Sequence, residues 1–341
     1  MPPPSSPPSS AGSVPYVELH AHSAFSFLDG ASTPEEMAEA AAAMGHEALA
    51  LTDHDGLCGS LAFAHAARAA GVRPITGAEV TLADGSHLTL LAATERGYAN
   101  LCRLITLAHA GTRPPPHRRA VPPALPREAL SEPGRTEGLV CLAGCARHGH
   151  VPRLVRAGDR RGAEAALRAL VADFGRDHVH VEIQLTRNRG DRALARDLER
   201  LAEAVGVPAV ATGDPHAHTP EAALLQDAFV AIGHRLTLDG SEDVRRGNHH
   251  AVLRPPPETA ALFADHPAAV AQTLRVAERL EFDLTRDLGY RFPDFVGSHP
   301  GQTAQDALTS LCVHQLGARY PNAARRAAAR VRLDEELALI A

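Results

Sequence analysis

Short apolar runs alternate with helical patterns from residue 16 to residue 232, and this alternation constrains the fold more than any other feature. The runs that predict strands lie at 16–20, 47–52, 74–80, 88–93, 139–142, 179–185 and 208–212. Helical patterns separate most of them, and Thr33 and Glu36 form a capping box at the start of the first helix. The pattern predicts an α/β protein whose seven-stranded sheet closes as a barrel, with functional residues at the carboxyl ends of its strands.

Further helices are predicted beyond the first. One follows the second strand and ends near residue 70, and the others cover 95–110, 163–174, 191–205 and 220–232. Strand signals fade after residue 233, where 258–282 and 303–341 each read as one helix. We therefore expect a barrel core over about 14–232, followed by a helical segment.

Composition excludes several classes of function. The 341 residues contain no lysine, which excludes Schiff-base enzymes, pyridoxal-phosphate enzymes and P-loop nucleotide binding. The net charge of −6 argues against a generally polycationic nucleic-acid binder. One stretch, 103–161, is basic, with 11 arginines and four acids, so that it either meets a phosphate backbone or forms a solvated proline-rich loop.

The sequence carries no sign of export or membrane insertion. Residues 1–13 form a Pro/Ser-rich stretch that predicts a disordered tail, and no apolar run approaches 18 residues. The five cysteines are odd in number and lie at unrelated spacings. We therefore expect a reduced, cytoplasmic protein without a membrane partner.

Four His-x-His pairs lie in the chain, and one of them ends the first predicted strand. His20 and His22 share a strand face, so both imidazoles can bind one metal ion. The pair at 178 and 180 lies on the polar face of a strand with Glu182 and Gln184, which favours no metal there. The pair at 148 and 150 lies in a Gly/Arg loop and is expected to be solvated.

Three further strand ends carry metal-ligating residue types. His54 follows the second strand, Glu79 ends the third, and Asp214 and His216 follow the seventh. Convergence of four such ends on His, Asp and Glu is what metal-assisted hydrolysis at a barrel mouth requires. Each residue also has a structural alternative, since Asp29 and Asp53 can cap turns and His54 can be a buried, hydrogen-bonded imidazole.

Several stretches resemble a known family. They are YVELHAHSAFSFLDGAS, ALTDHDGLCGSLAFAHAARAAGVRPITGAEV, HLTLLAATERGYANLCRLIT, CLAGCARHGHVPRL, TGDPHAH, LFADHPAAVAQTLRVAERLEFDL and YRFPDF. They resemble the PHP (polymerase and histidinol phosphatase) domain at the amino terminus of bacterial C-family DNA polymerases. The short form of the segment is most similar to the error-prone branch, with the replicative alpha subunit as the alternative.

The resemblance implies a distorted seven-stranded barrel that binds up to three divalent metal ions, zinc or manganese and possibly iron. Matched motif by motif, the implied ligands are His20, His22, Asp29, His54, Glu79, His87, Cys145, Asp214 and His216. Of these, Asp214, His22 and Glu79 are the expected catalytic residues. His87 opens its strand, so it reaches the site only if that strand runs back toward the mouth. His218, close behind His216, is the strongest candidate for a supporting contact outside this set.

The implied domains are a PHP domain over 14–285 and, over 286–341, a linker and the start of a polymerase palm. The palm carboxylates of the family are missing, because only Pro293-Asp294-Phe295 resembles their motif, so we expect part of a longer protein. The implied activity is 3′→5′ exonuclease action on a DNA 3′ end, with other polymerase or translesion-synthesis subunits as partners. The alternatives are a metal-stabilised scaffold without hydrolysis and a stand-alone phosphatase of the histidinol-phosphate type.

Overall fold

The computed structural model describes residues 15–112, 121–289, 295–297, 299 and 301–341. It divides into two compact units, Met1–Leu288 and Gly289–Ala341. The predicted tail at 1–13 and most of the YRFPDF motif lie outside the described residues. The assignment of these units to a PHP domain and to the start of a palm remains a prediction.

Strands and helices alternate through the first unit, which confirms the predicted α/β class. In chain order its elements are α1 (Pro34–Ala43), β1 (Ala48–Leu51), α2 (Ser60–Ala69), β2 (Arg73–Thr81), β3 (His87–Ala92), α3 (Glu95–His109), β4 (Leu139–Leu142), α4 (His150–Arg156), α5 (Arg160–Phe174), β5 (Val179–Gln184), α6 (Asp191–Val205), β6 (Ala209–Thr212), α7 (Pro220–His234), α8 (Pro256–Leu262) and α9 (Pro267–Arg279).

Among the described residues, six strands form one sheet in the order β1-β2-β3-β4-β5-β6. The pairs β1–β2, β4–β5 and β5–β6 are parallel, whereas β3 runs antiparallel to both of its neighbours. The sheet is therefore mixed, with one antiparallel strand among parallel ones. The reversal places the start of β3 beside the carboxyl end of β2, where Thr81 pairs with His87.

The predicted first strand at 16–20 is present only as a single parallel bridge between Glu18 and Leu49. The backbone N–H groups of Ala50 and Thr52 donate to the carbonyls of Glu18 and Ala21. At the other end of the sheet, the backbone N–H of His22 donates to the carbonyl of Pro215, which follows β6. Residues 18–22 thus contact both ends of the sheet, which is curled as a six-stranded half-barrel, and a seven-stranded barrel is not confirmed among the described residues.

The two faces of the curled sheet differ in polarity. On β5, Val181 and Ile183 pack outward in a core that includes Leu167 of α5 and Leu198 of α6. The alternate residues of β5 are polar, yet every residue of this strand is buried. Since successive side chains of a strand point to opposite faces, the polar set faces the interior of the half-barrel, which gives a site its polar lining.

Two predicted helices are interrupted by proline. The expected helix at 258–282 is two helices, because Pro267 starts α9 after a break at His266. In the second unit the expected helix at 303–341 is likewise two, α10 (Ala304–Arg319) and α11 (Ala323–Ile340), with Asn322 capping the second. Within the described residues, no helix has the length and apolarity that crossing a membrane requires.

The start of the first helix agrees with the sequence. The Thr33 side chain accepts a hydrogen bond from the backbone N–H of Glu36, and the Glu36 side chain accepts one from the backbone N–H of Thr33. The predicted capping box is therefore confirmed, with Pro34 at the first helical position.

One close contact between glycines predicts a stability effect. A methyl group on Gly97 in α3 would lie 1.9 Å from the carbonyl oxygen of Gly138, which is backbone and cannot move aside cheaply. We expect Gly97→Ala to lower the free energy of unfolding by about 3 kcal/mol, measured by urea denaturation. Gly111→Ala is the matched control, since nothing lies within 4 Å of its added methyl group. Equal stability of the two variants would contradict this packing.

Candidate metal centre

Five chain segments bring the predicted ligands to one end of the half-barrel. His20 and His22 lie on the segment beside β1, His54 follows β1, and Glu79 lies near the end of β2. The reversed direction of β3 adds His87, so the condition for its participation is met. Asp214 and His216 follow β6, and Asp29 lies in the turn after His22.

The Glu79 carboxylate lies at the centre of four imidazoles. Its Oε2 is 3.0 Å from His54 Nδ1 and 3.6 Å from His22 Nε2. Its Oε1 is 3.3 Å from His87 Nδ1 and 3.8 Å from His20 Nε2. A carboxylate in this position can bridge two metal ions, each of which also binds imidazole nitrogens.

A second group surrounds His216. Its Nε2 is 2.9 Å from Asp29 Oδ2, and its Nδ1 is 3.4 Å from Asp214 Oδ1. The same Asp214 oxygen is 3.3 Å from His22 Nε2, and the rings of His22 and His216 are 4.2 Å apart. Asp214 and His22 thus join the two groups into one cluster.

Six of the nine predicted ligands form three overlapping triads whose ligand atoms lie within 4.8 Å of one another; Asp29, Cys145 and Asp214 are not members of these triads. The triads are His22–His54–His216, His20–His22–Glu79 and His54–Glu79–His87. Cys145 is also buried, and its Sγ accepts a hydrogen bond from the backbone N–H of His148 at 3.3 Å. Burial raises the pKa of this thiol, and the charges of Glu79 and Asp214 raise it further, so a nearby cation is what would stabilise its thiolate.

The site is strongly polarised. Burial opposes ionisation of Glu79, but His54 and His20 hold its pKa well below the usual value. Burial also opposes protonation of His54, yet Glu79 and Asp29 raise the pKa of this imidazole to about 10. The Asp214 carboxyl is buried as well, and His216 and Arg246 lower its pKa. The carboxylates are therefore ionised and available to cations.

The hydrogen bonds that the two histidines on the first segment make through Nδ1 turn their Nε2 atoms toward the cluster. His20 donates from Nδ1 to Glu182 Oε1 at 2.7 Å, and His22 donates from Nδ1 to Ser26 Oγ at 2.9 Å. The two Nε2 atoms lie 3.0 Å apart, and a cation or a shared proton would stabilise this contact.

Three buried atoms of the cluster have no hydrogen-bond partner. They are Glu79 Oε1, His87 Nδ1 and Asp214 Oδ1. A buried polar group without a partner is costly, and all three atoms belong to predicted ligands. The residues present therefore fit a set of divalent ions, and imidazole with carboxylate suits zinc, manganese or iron. The identity of the metal and the role of each ligand remain proposals.

Glu182 is a site residue that the sequence interpretation missed. It is buried, its Oε1 accepts from His20 Nδ1 at 2.7 Å, and it also accepts from Gln184 Nε2 at 2.9 Å. The alternation in HVHVEIQ did signal a polar strand face. Helices cover the apolar face of β5, so its polar face points into the half-barrel. The polar residues are therefore buried and do not form a solvated surface.

Arg246 is a second residue that no motif identified. Its guanidinium is largely buried, with Nη2 at 2.5 Å from His216 Nε2 and at 3.4 Å from Asp29 Oδ2. Asp53 has a structural role, which agrees with the turn-capping alternative for this residue. It accepts hydrogen bonds from Ser23 and Ser26 and so anchors the turn that carries His22.

The remaining histidine pairs lie mostly outside the cluster. His150 contacts Asp84 at 3.1 Å, and exposed His148 lies beside the His87 ring at 4.9 Å. His180 is buried and contacts Gln272. His218 Nδ1 contacts Ser32 Oγ at 2.7 Å, and Ser32 is not a predicted ligand.

The basic stretch at 103–161 is partly neutralised by ion pairs. Arg127 pairs with Asp173, Arg135 with Glu132, and Arg153 with Asp84. These arginines are consequently poorer candidates for phosphate binding than their number in the sequence suggests.

The contact between Glu182 and His20 gives a second prediction. Because the carboxylate fixes which ring nitrogen of His20 faces the cluster, we expect Glu182→Gln to weaken metal binding by about 10–100-fold. Titration with zinc against a competing chelator measures the change. Glu199→Gln, which also removes a carboxylate beside a histidine but outside the cluster, is the control. Wild-type affinity in Glu182→Gln would refute the orienting role.

Comparison with known proteins shows which families the chain is similar to. A family model described as "PHP domain" matches residues 18–186. An error-prone DNA polymerase of Symbiobacterium thermophilum is 40% identical over 95% of this chain and 30% of its own length. That of Mycolicibacterium paratuberculosis is 38% identical over 96% of this chain and also 30% of its own length.

A solved structure from Bifidobacterium adolescentis, described as a candidate metal-dependent phosphoesterase, is 16% identical, covers 59% of this chain and 87% of its own, and has a TM-score of 0.43. The chain thus spans about 30% of the length of the curated relatives above. The chain therefore contains a segment that matches the PHP domain model, and it is similar along 95–96% of its length to part of the error-prone DNA polymerases.

Proposed function

We propose that the first unit is a multinuclear metal phosphoesterase that removes nucleotides from a DNA 3′ end in the 3′→5′ direction. The observation that carries this proposal is the convergence of buried imidazoles and carboxylates, three of whose ligand atoms lack hydrogen-bond partners. Such atoms are what divalent ions bind, and clusters of divalent ions serve phosphate hydrolysis. DNA is the substrate class because the relatives are DNA polymerases.

The nine predicted ligands would hold the ions, up to three in number. Glu79 is placed to bridge, with His20, His22, His54 and His87 around its two oxygens. The chemistry that bound divalent ions supply at such a cluster is activation of water and neutralisation of phosphate charge.

The reaction is a hydrolysis in which a water oxygen bonds to the phosphorus of the terminal phosphodiester. The bond from phosphorus to the 3′ oxygen of the preceding nucleotide breaks, and that oxygen takes up a proton. The products are a nucleoside 5′-monophosphate and a strand shortened by one residue. Asp214 and His22 lie where the two ligand groups meet, and together with Glu79 they are the residues to which we assign catalysis.

In the longer relatives this unit would act within a DNA polymerase. DNA and further polymerase or translesion-synthesis subunits are the partners that we propose for such a protein. Polymerisation is not assigned to these residues, since the palm carboxylates of the family have no counterpart in the sequence beyond Pro293-Asp294-Phe295.

The test is a trimming assay on single-stranded and duplex DNA, with the label chosen to report loss of the 3′ nucleotide. Protein loaded with manganese or zinc is expected to release nucleoside monophosphates, and Asp214→Asn is expected to reduce the rate by at least about 100-fold. Asp177→Asn, an exposed aspartate, is the control.

Two outcomes favour the alternatives. Full metal occupancy without trimming of any DNA would indicate that the unit is a metal-stabilised scaffold and not an enzyme. Rapid turnover of a soluble phosphomonoester, with no trimming, would instead indicate a phosphatase of the histidinol-phosphate type.

A further inference from the structure

Glu18 is a buried glutamate that is not among the predicted ligands. Only 3% of its surface is exposed, and both of its carboxylate oxygens accept hydrogen bonds from backbone N–H groups. Oε1 accepts from His20 at 3.1 Å, and Oε2 accepts from Gly213 at 2.8 Å. The first donor belongs to a predicted ligand, and the second directly precedes another, Asp214. Glu18 therefore contacts the main chain at two of the segments that carry ligands.

The main chain and the side chain of Glu18 contact opposite ends of the curled sheet. Its carbonyl accepts a hydrogen bond from the backbone N–H of Ala50 in β1, and its main chain bridges to Leu49. Its side chain accepts from Gly213, the residue that follows β6 at the other end of the sheet. A backbone N–H at a sheet edge normally pairs with the carbonyl of a neighbouring strand. Here the carboxylate takes the place of that carbonyl, so one side chain joins the end of β6 to the segment beside β1.

The chain around Asp214 is held to the first segment on both sides of this residue. The backbone N–H of Gly213 donates to Glu18. The carbonyl of Pro215 accepts from the backbone N–H of His22 at 2.9 Å. Asp214 itself has a φ of +49°, a left-handed conformation that is uncommon for residues other than glycine and persists where surrounding contacts impose it. The two contacts thus fix the position of the Asp214 carboxylate, whose Oδ1 is 3.3 Å from His22 Nε2.

The position of the Glu18 carboxylate is itself closely defined. The hydroxyl of buried Tyr16 donates to Oε2 at 2.7 Å. A methyl group on Gly213 would lie 2.6 Å from the same oxygen, so the close approach requires a residue without a Cβ atom. Because the two oxygens face two different N–H groups, an amide cannot replace the carboxylate: in either orientation its NH₂ group faces one of these donors. Residue 18 must therefore supply two acceptor oxygens.

We propose that Glu18 is a positioning residue of the metal cluster, which sets the distance between the segment with His20 and His22 and the loop with Asp214. It acts through these ligands and touches no reacting atom. By fixing how closely the two ligand groups approach each other, it determines how tightly ions bind between them. The inference rests on the proposed function only in taking the cluster as a metal site.

The experiment compares wild type with Glu18→Gln, which keeps the size of the side chain and removes one of its two acceptors. Zinc affinity is measured by titration against a competing chelator. Cobalt is the spectroscopic probe, because its visible absorption depends on the number and geometry of its ligands. We expect Glu18→Gln to bind zinc at least about 10-fold more weakly and to change the position or intensity of the cobalt absorption.

Two further variants separate positioning from a general loss of stability. Asp283→Asn is the matched control, since this buried carboxylate lies outside the cluster and also accepts from a backbone N–H and a hydroxyl, both of Thr285. It should lower the urea midpoint of unfolding but bind zinc and cobalt like wild type. Gly213→Ala should reproduce the effect of Glu18→Gln, because its methyl group displaces the carboxylate without changing any titratable side chain. It decides the case if Glu18→Gln does not fold.

Wild-type zinc affinity with an unaltered cobalt absorption, in folded Glu18→Gln or in Gly213→Ala, would overturn the proposal. An equal loss of affinity in Asp283→Asn would also overturn it, since the effect would then follow from lower stability alone. Metal binding needs no hydrolysis, so the two proposals fail separately. Weakened binding in the variants without DNA trimming by wild type would reject only the exonuclease. Trimming by wild type with unchanged metal binding in the variants would reject only the role of Glu18.

Discussion

Glu79→Gln is expected to lose most of the bound metal and to lower phosphodiester hydrolysis by at least about 100-fold. The reason is geometric, because both oxygens of Glu79 lie within 3.8 Å of imidazole nitrogens from four histidines. The amide keeps the size of the side chain but removes the negative charge and one of its two acceptor oxygens. Elemental analysis of the purified protein and the DNA-trimming rate are the two measurements.

Glu203→Gln is the matched control, since this glutamate is exposed on α6. It should keep the metal content and the rate of wild type. If Glu79→Gln retains full metal occupancy, Glu79 does not bridge the ions. If it keeps the rate while losing metal, the cluster is not the hydrolytic centre.

Removal of the metal ions is expected to lower the melting temperature by about 5–11 °C. An ion present at 100 times its Kd stabilises the folded state by about 2.7 kcal/mol, and 1 kcal/mol corresponds to about 2–4 °C in a domain of this kind. The structural reason is that Glu79, Asp214 and His22 are buried and crowded, so that cations compensate their desolvation and mutual repulsion. Differential scanning calorimetry before and after treatment with a chelator measures the shift.

Re-addition of zinc or manganese should restore the original melting temperature, which separates metal loss from irreversible damage. The Glu79→Gln variant provides an internal check, because it should respond much less to the chelator than wild type does. A melting temperature that does not change when the ions are removed would show that the cluster contributes little to stability, whatever its chemistry.

Local features of the fold follow closely from local sequence. The capping box of Thr33 and Glu36 forms as predicted, and α6 has the predicted bounds Asp191–Val205. Both depend on contacts within a few residues, which sequence patterns encode directly. The breaks before α9 and α11 also coincide with prolines, at Pro267 and Pro321, although the sequence pattern predicts one continuous helix in each region.

Contacts between segments that are distant in the sequence were harder to predict. The segment at 16–20 has the composition of a strand, yet only Glu18 bridges to β1, because the segment also contacts the residues after β6. The polar alternation of β5 was read without knowing which side the helices cover, and so Glu182 was overlooked. Arg246 lies in an irregular loop, where no periodicity marks a residue as buried.

For the candidate site, the sequence by itself determined the chemistry: His20, His22, Glu79, Asp214 and His216 stand at strand ends, where residue type and spacing already indicate metal ligands. Only the tertiary structure decided which other side chains join them. The antiparallel direction of β3 brings in His87, the inward face of β5 brings in Glu182, and an anchored loop brings in Arg246. The physical reason is that strand direction, the covered face of a sheet and the path of a loop depend on packing between distant segments, which the spacing of residues along one segment does not specify.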